Sequence, residues 1–323
     1  MDNNFGKQLP NFTFSLYRFE LELEREIKAG FFLGNTIRGA FGSSLRSICC
    51  VKKRKECVDC PLAPQCAYQH IFSPIWMEEY HTLSKNRNIQ RGFVLKPPLK
   101  EDYTRFLSFE MVLIGRLNKW LPYVIVPFRE LGNRGLGANR IPFKLSQILI
   151  FDFRGKKWFP IYSSKDETVR PKDLAIEWKE LLPEQSQKEK ITLNFFTPTT
   201  IRYNFRKEKG KSVVVRRPEF HILIKRLRDR INALLNFYCS EKLDIDFRAF
   251  GEEAEQIKKV EDETLWKERK RKRADGKIHN LSGFTGRVTF EGEIDEFIPY
   301  LVLGQYIHVG ENAPFGNGWY EIV

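Results

Sequence analysis

Apolar and polar positions largely alternate in the first patterned segment of the chain, from Phe12 to Glu24, which predicts a half-buried strand. Its apolar members are Phe14, Leu16, Phe19, Leu21 and Leu23. The following segment, from Phe31 to Ile48, changes to a helical period. Apolar residues recur there at Ile37, Phe41, Leu45 and Ile48. The chain therefore opens with a strand and a helix.

The rest of the first half continues with further elements after an irregular segment. Residues 49–100 are rich in cysteine, proline and charge and poor in periodicity, which predicts a Cys-rich insertion held by something other than a core. Regular patterning then predicts a strand at 106–115, a helix at 118–131, and strands at 142–153 and 157–162.

The polar segment 165–190 changes the composition sharply and predicts a domain boundary between residues 187 and 188. The second half repeats the order of the first. Its predicted elements are a strand at 191–203, a helix at 218–238, a strand near 249–260, a strand at 283–293, a helix at 294–306 and a strand at 316–323. The long helix has one apolar stripe, made of Phe220, Leu223, Ile224, Leu227, Ile231, Leu234 and Tyr238.

Two successive β-α-β-β-α-β units predict an α+β protein with two tandem ferredoxin-like (RRM-like) domains, at 1–187 and 188–323. The Cys-rich insertion belongs to the first of these domains.

The net charge of the chain indicates the class of molecule that it binds. The chain has 54 Lys and Arg residues against 41 Asp and Glu, a formal net charge of +13, which favours a polyanion such as nucleic acid. No segment approaches the length of a membrane span, and the N-terminus lacks the pattern of a secretory signal. We therefore expect a cytoplasmic protein with no membrane partner.

Five of the six cysteines lie between Cys49 and Cys66. In a reducing compartment such a cluster favours a metal site over disulfides. Its predicted ligands are Cys50, Cys57, Cys60 and Cys66, with Cys49 as a substitute for the first. Four thiolates suit structural zinc, and they can equally hold an iron–sulfur cluster.

Three motif regions resemble the CRISPR-associated endoribonucleases of the RAMP superfamily, which cut precursor CRISPR RNA within each repeat. The first is GNTIRGAFGSSLR at 34–46, with the cysteines and RGFVLKPP at 91–98. The second is LGNRGLGANRIPFKL at 131–145, leading to TLNFFTPTTIR at 192–202. The third is GFTGRVTFEG at 283–292, running into the glycine-rich end of the chain at 300–323.

The resemblance implies two RNA-binding ferredoxin-like domains and metal-independent cleavage. In that chemistry the ribose 2′-OH attacks the adjacent phosphate and leaves a 2′,3′-cyclic phosphate and a 5′-OH. The resemblance also implies a glycine-rich loop that approaches an RNA phosphate. Its predicted contacts are Gly304, Gly310, Gly316 and Gly318, which lack a Cβ that would block close approach.

Cleavage of this kind needs a base, an acid and groups that stabilise the phosphorane charge. Histidine suits the proton transfers because its pKa lies near neutrality. The family's histidine lies on or near the first helix, and 31–48 contains none. His308, inside the glycine-rich motif, is therefore the first candidate and His279 the second. Arg38 and Arg46 are the candidates for charge stabilisation.

The other histidines have simpler explanations. His70 and His81 fall in the predicted insertion and are expected to be metal ligands or RNA contacts. His221 lies beside the apolar stripe of the long helix.

Two basic segments are predicted to follow the RNA backbone. One is Arg134 and Arg140 in the motif RGLGANR. The other is a run expected in a loop, with Lys267, Arg269, Lys270, Arg271, Lys272 and Arg273. The resemblance implies CRISPR repeat RNA and a CRISPR effector complex as the partners. The alternative function is a non-catalytic guide-RNA-binding subunit of such a complex.

Overall fold

The computed structural model describes residues 9–51, 57, 60–75, 89–183, 189–205, 208, 210–272, 276 and 278–323. The chain forms two compact units. The N-terminal unit contains Phe12–Glu177 and Ala233–Glu241, and the C-terminal unit contains Trp178–Asn232 and Lys242–Val323. The boundary between the units, after Glu177, thus lies ten residues before the boundary predicted from composition, after residue 187. Trp178 is buried, and its Nε1 donates to the carbonyl of Pro299, 2.8 Å away, which ties it to the C-terminal unit.

The N-terminal unit is a ferredoxin-like α/β sandwich with an antiparallel sheet. Its elements are β1 (Thr13–Lys28), α1 (Leu33–Cys49), α2 (Ala67–Ile71), β2 (Phe93–Lys96), β3 (Tyr103–Ile114), α3 (Pro122–Arg134), β4 (Phe143–Asp152), β5 (Lys157–Ser163) and β6 (Ile176–Glu177). The strand order is β2-β3-β1-β4-β5, with β6 paired to β1. The first four strands therefore have the connectivity expected of a β-α-β-β-α-β unit.

The core of this unit lies between the sheet and the helices, as the alternation in β1 predicts. Phe19 and Leu21 of β1 are at most 2% exposed, and Phe41 of α1 is fully buried. The ring of Phe41 stacks on that of Phe128 of α3 at 5.1 Å. Because aromatic residues bury large areas, this stack holds α1 and α3 together on one face of the sheet.

One sequence prediction in this unit is wrong. The predicted insertion at 49–100 includes β2, all four residues of which are buried. β2 pairs with β3 along Phe93–Lys96, so it is an integral strand of the sheet. A strand buried on both faces is a short apolar run without alternation, and periodicity does not detect it.

The C-terminal unit repeats the same connectivity. Its elements are β7 (Lys190–Thr199), β8 (Ile201–Tyr203), β9 (Val213–Val215), α4 (Phe220–Leu234), α5 (Phe247–Ala254), β10 (Lys258–Asp262), β11 (Leu265–Lys267), β12 (Lys270–Lys272), β13 (Ile278–Asn280), β14 (Gly283–Glu291), α6 (Ile298–Ile307) and β15 (Tyr320–Ile322). The sheet order is β10-β14-β7-β15, all antiparallel. The protein is therefore α+β with tandem ferredoxin-like domains, and this prediction is confirmed.

Local structure in this unit corrects two further predictions. The strand expected near 249–260 is helix α5 followed by β10. Asp246 caps α5 by accepting from the backbone N–H groups of Arg248 and Ala249. The basic run forms strands β11 and β12, rather than a loop. The predicted stripe of α4 is confirmed, since every member is at most 3% exposed.

In the part of the chain that the structure describes, no helix has both the length and the apolar character needed to cross a membrane.

Candidate functional site

The glycine-rich loop between α6 and β15 contains three glycines in conformations that other residues rarely adopt. Gly310, Gly316 and Gly318 have φ values of 82°, 93° and 76°. A Cβ on Gly318 would also overlap the carbonyl of Val309. These positions therefore require glycine for the path of the chain. Gly304, predicted to contact RNA, lies instead within α6, where a Cβ would overlap the hydroxyl of Tyr320.

Hydrogen bonds to the end of β7 fix this loop. The hydroxyl of Thr197 donates to the carbonyl of Gly316 at 2.8 Å and accepts from the backbone N–H of Trp319 at 2.9 Å. The N–H of Glu311 donates to the carbonyl of Thr200 at 2.9 Å. The loop is thus a rigid feature with a half-exposed rim that includes Phe315.

His308 lies beneath this loop and is fully buried. Its Nδ1 donates to the carbonyl of Asn317 at 3.1 Å, and its ring stacks parallel to that of Trp319 at 6.1 Å. Its backbone has φ 61° and ψ 168°, a region that is essentially restricted to glycine. A ring with no exposed surface cannot contact a phosphate in this conformation, so the geometry gives His308 a supporting position behind the loop.

His279 lies at the rim of the same loop. It is half-buried on β13, and its ring centre is 5.4 Å from that of Phe315 in the loop. Across the β12–β13 hairpin it pairs with Arg271. The structure therefore brings a histidine, a basic strand and the glycine-rich loop together within the C-terminal unit.

The basic residues beside His279 are exposed on β11, on β12 and between these two strands. Those described with their side chains are Lys267, Arg269, Lys270 and Arg271. The side chain of Lys272 and the whole of Arg273 lie outside the described residues. Exposed cations beside the glycine-rich loop form a surface suited to RNA phosphate.

The N-terminal unit contains a second basic cluster, around Phe72 and Tyr68. The guanidinium carbon of Arg38 lies 4.1 Å from the ring centre of Phe72, and that of Arg46 lies 5.7 Å from the ring centre of Tyr68. Arg91 joins them, since its Nε donates to the carbonyl of Phe72 at 2.7 Å. Aromatic faces thus hold three guanidinium groups in place.

Arg91 and the two aromatic rings escaped sequence reasoning. Arg91 opens the RGFVLKPP motif, but no periodicity distinguishes it from a solvated arginine. In the structure Arg91 is distinguished by its burial. Burial lowers the pKa of the Arg91 guanidinium, and Tyr238 and Tyr68 partly oppose this shift.

The RGLGANR motif forms a tight turn after α3. The backbone groups of Leu136 and Ile141 bond each other at 2.8 and 3.0 Å and close the turn. Arg134 donates to the hydroxyl of Ser47 at 2.8 Å, and Arg140 is exposed with φ 45°. Both remain on the surface.

Two of the remaining histidines are half-buried, and among the residues that the structure describes neither lies in a group that fits a metal ion. His70 stacks on Trp120 at 4.8 Å, and its Nε2 donates to the carbonyl of Pro64 at 2.7 Å. Burial lowers the pKa of His70. His221 meets the ring of Tyr203 edge-on at 5.9 Å. His81 lies outside the described residues.

The cysteine cluster lines one small cavity of about 30 Å³ in the N-terminal unit. Its cysteines are Cys49, Cys50, Cys57, Cys60 and Cys66. Burial raises the pKa of the Cys49 thiol to about 11 and also raises that of Cys57. Among the residues that the structure describes, no three His, Cys, Asp or Glu side chains form a group that could hold a metal ion. The thiols thus line one cavity but are not arranged as the ligands of a metal ion.

Comparison with known proteins places this architecture in a class. A structure titled as a Cas6 product complex, from the Thermus thermophilus protein TTHB231, matches with a TM-score of 0.58 and 15% identity over 96% of this chain and 100% of the other. A substrate-mimic complex of another Cas6, TTHA0078, matches with a TM-score of 0.50 and 15% identity over 96% of this chain and 99% of the other. Part of a longer chain in a Cas6-RT-Cas1–Cas2 complex also matches, with a TM-score of 0.55 and 14% identity over 99% of this chain and 47% of that one. These matches show the fold, which is that of the Cas6-like proteins.

Sequence comparison defines the family within this class. Residues 12–174 match the family model AF_1859_N, described as an N-terminal domain, and residues 193–320 match the CRISPR-associated endoribonuclease Cas6. An uncharacterized protein of Archaeoglobus fulgidus is 27% identical over 305 residues, 90% of this chain and 91% of the other. The chain belongs to the AF_1859_N family, and its fold is that of the Cas6-like proteins.

Proposed function

We propose that this protein is an endoribonuclease that binds CRISPR repeat RNA and makes a metal-independent cut in precursor CRISPR RNA. The match of residues 193–320 to the Cas6 endoribonuclease supports the substrate class. The net charge of +13 suits a polyanionic substrate. The observation that carries the proposal is His279 at the rim of the glycine-rich loop, beside a strand of exposed cations.

In the proposed reaction the ribose 2′-oxygen attacks phosphorus and the bond from phosphorus to the 5′-oxygen breaks. The 2′-OH proton goes to a base and the departing 5′-oxygen receives a proton from an acid. His279 serves as one of these two groups, because imidazole exchanges protons near neutral pH. Arg271 and the rim of the loop stabilise the phosphorane charge. The products are a 2′,3′-cyclic phosphate and a 5′-OH.

The N-terminal unit supplies a second phosphate contact in this proposal. Arg38, Arg46 and Arg91 are held on aromatic faces, which reduces the side-chain entropy lost on binding an anion. A guanidinium group also presents a planar fork of donors that fits two oxygens of a phosphate. We assign these arginines to binding and positioning of the RNA.

Purified protein is expected to cut repeat RNA from its own locus in the presence of EDTA. A transesterification driven by side chains needs no metal, so chelation should leave the rate unchanged within about twofold. Mapping of the product ends should give a 2′,3′-cyclic phosphate and a 5′-OH. A requirement for added divalent metal would contradict the mechanism.

The rival function is a non-catalytic guide-RNA-binding subunit of a CRISPR effector complex. The absence of histidine from residues 31–48, all of which the structure describes, favours it, because the resembled enzymes carry theirs on or near the first helix. The fold match to part of a Cas6-RT-Cas1–Cas2 complex is compatible with CRISPR-associated partners for either function. Tight binding of repeat RNA without any cut would establish the rival.

We further propose that the cysteine cluster binds structural zinc or an iron–sulfur cluster. Support comes from the convergence of five thiols on one cavity and from the spacing of Cys57 and Cys60. Binding requires the thiols to deprotonate and to rotate toward a common point, since their present arrangement lacks ligand geometry.

Protein purified without oxygen is expected to contain about one equivalent of zinc, or an iron–sulfur cluster. The double variant Cys57→Ser, Cys60→Ser should lose the metal, because a serine hydroxyl is a poor ligand for it. Cys239→Ser is the matched control, since Cys239 lies outside the cavity lining. Elemental analysis measures both, and wild-type protein free of zinc and iron would refute the proposal.

A further inference from the structure

The β8–β9 hairpin of the C-terminal unit presents aromatic and apolar side chains to solvent. Phe205 is 60% exposed and Val213 is 53% exposed. The ring of Phe205 meets that of Tyr203 edge-on, with the ring centres 5.0 Å apart. An exposed phenylalanine adds little to the hydrophobic core, so a pair of aromatic rings that includes an exposed one indicates a surface that binds a ligand.

Cations accompany these rings. The guanidinium carbon of Arg226 lies 5.9 Å from the ring centre of Tyr203, and its Nε donates to the carbonyl of Arg202 at 2.9 Å. Arg216, directly after β9, places its guanidinium 5.2 Å from the ring centre of Trp266 on β11. Aromatic and guanidinium planes are the groups on which unpaired bases stack.

The charge of this segment complements a polyanion. From residue 202 to 217 the sequence contains seven Lys or Arg residues and a single acidic residue, Glu208. Three of the seven, at 206, 207 and 209, lie outside the described residues and form no part of the surface considered. Of the remainder, Arg202, Lys211, Arg216 and Arg217 are exposed.

The hairpin is continuous with the glycine-rich loop. Arg202 pairs with the carboxylate of Glu311 in that loop, with Nε and Oε1 3.0 Å apart. Thr200, which accepts from the N–H of Glu311, directly precedes β8. Phe205 is five residues further on, so it lies at most about 18 Å from Thr200. An RNA strand at the loop reaches Phe205 within a few nucleotides.

We propose that Phe205 and Tyr203 form a stacking platform for unpaired bases of RNA, next to the phosphate contacts of the glycine-rich loop. The proposal takes the identity of its ligand from the proposed function. It requires single-stranded RNA to bind and does not require that RNA to be cut.

Binding of a fluorescently labelled, unstructured oligoribonucleotide tests the platform. Phe205→Ala is expected to weaken binding by about 5- to 100-fold, the range for loss of one base stacked on an aromatic ring. Phe205→Trp should keep the affinity, and Phe205→Leu should lose it as alanine does, because leucine is apolar but has no π face. Phe106→Ala is the matched control, since Phe106 is 75% exposed on the N-terminal unit.

An RNA of the same length with abasic sites in place of its bases separates stacking from charge. Wild-type protein should bind it more weakly, and Phe205→Ala should cause no further loss. Equal loss with both RNAs, full affinity for Phe205→Leu, or unchanged affinity for Phe205→Ala would overturn the platform. Wild-type protein that binds the RNA without cutting it, together with weaker binding by Phe205→Ala, would leave the platform in place and refute only the catalytic function.

Discussion

Replacement of His279 by alanine is expected to lower the cleavage rate at saturating RNA by about 10²- to 10⁴-fold, the range for loss of a general acid or base. The affinity for RNA should change by less than about threefold. His279 is half-buried at the rim of the glycine-rich loop, and the cations of β11 and β12 that attract the phosphate remain in the variant. Single-turnover cleavage measured beside equilibrium binding separates the two effects.

The dependence of this rate on pH gives a second test of His279. If its imidazole transfers a proton in the reaction, wild-type protein should show a limb of the pH profile that disappears in His279→Ala. Ile278→Ala is the matched control, because Ile278 precedes His279 on β13 and is 69% exposed. Cleavage by His279→Ala at the wild-type rate, with an unchanged profile, would remove His279 from the mechanism.

Two of the main elements, β1 and α4, followed from sequence because each has a strong local pattern. The alternation of β1 predicts one buried face of the strand, and the single stripe of α4 predicts one buried face of the helix. Both predicted faces are buried in the structure. β2 was missed because its four residues are buried on both faces, which leaves no alternation to detect. Strand pairing of the basic run was missed because charged residues at successive positions from 267 to 273 obscure the period of two.

The candidate site was harder to predict because it depends on burial. His308 has the right sequence context, within the glycine-rich motif, yet the loop folds over its ring. His279 is remote from that motif in sequence, and only the β12–β13 hairpin brings it to Phe315. Arg91 and Phe72 likewise become neighbours through tertiary packing. The sequence shows which residues are present, whereas their burial in the folded protein decides which of them can contact a substrate.

The glycine-rich loop is expected to depend on His308 for its shape, and His308→Ala should lower the free energy of unfolding by about 2–4 kcal/mol. The substitution removes a fully buried ring, its stacking on Trp319 and its hydrogen bond to Asn317. It also retains a backbone conformation that favours glycine. His308→Gly should therefore be about 1 kcal/mol more stable than His308→Ala, although glycine usually costs stability relative to alanine.

Cleavage by these variants distinguishes a positioning residue from a catalytic one. A ring that only shapes the loop should raise the RNA concentration needed for half-maximal cleavage, while the rate at saturation stays within about tenfold at a temperature where the variant is folded. The limb of the pH profile that depends on His279 should persist in both variants. Loss of that limb with normal stability and affinity would instead make His308 the proton-transfer group, and would require the loop to open so that a buried imidazole reaches the phosphate.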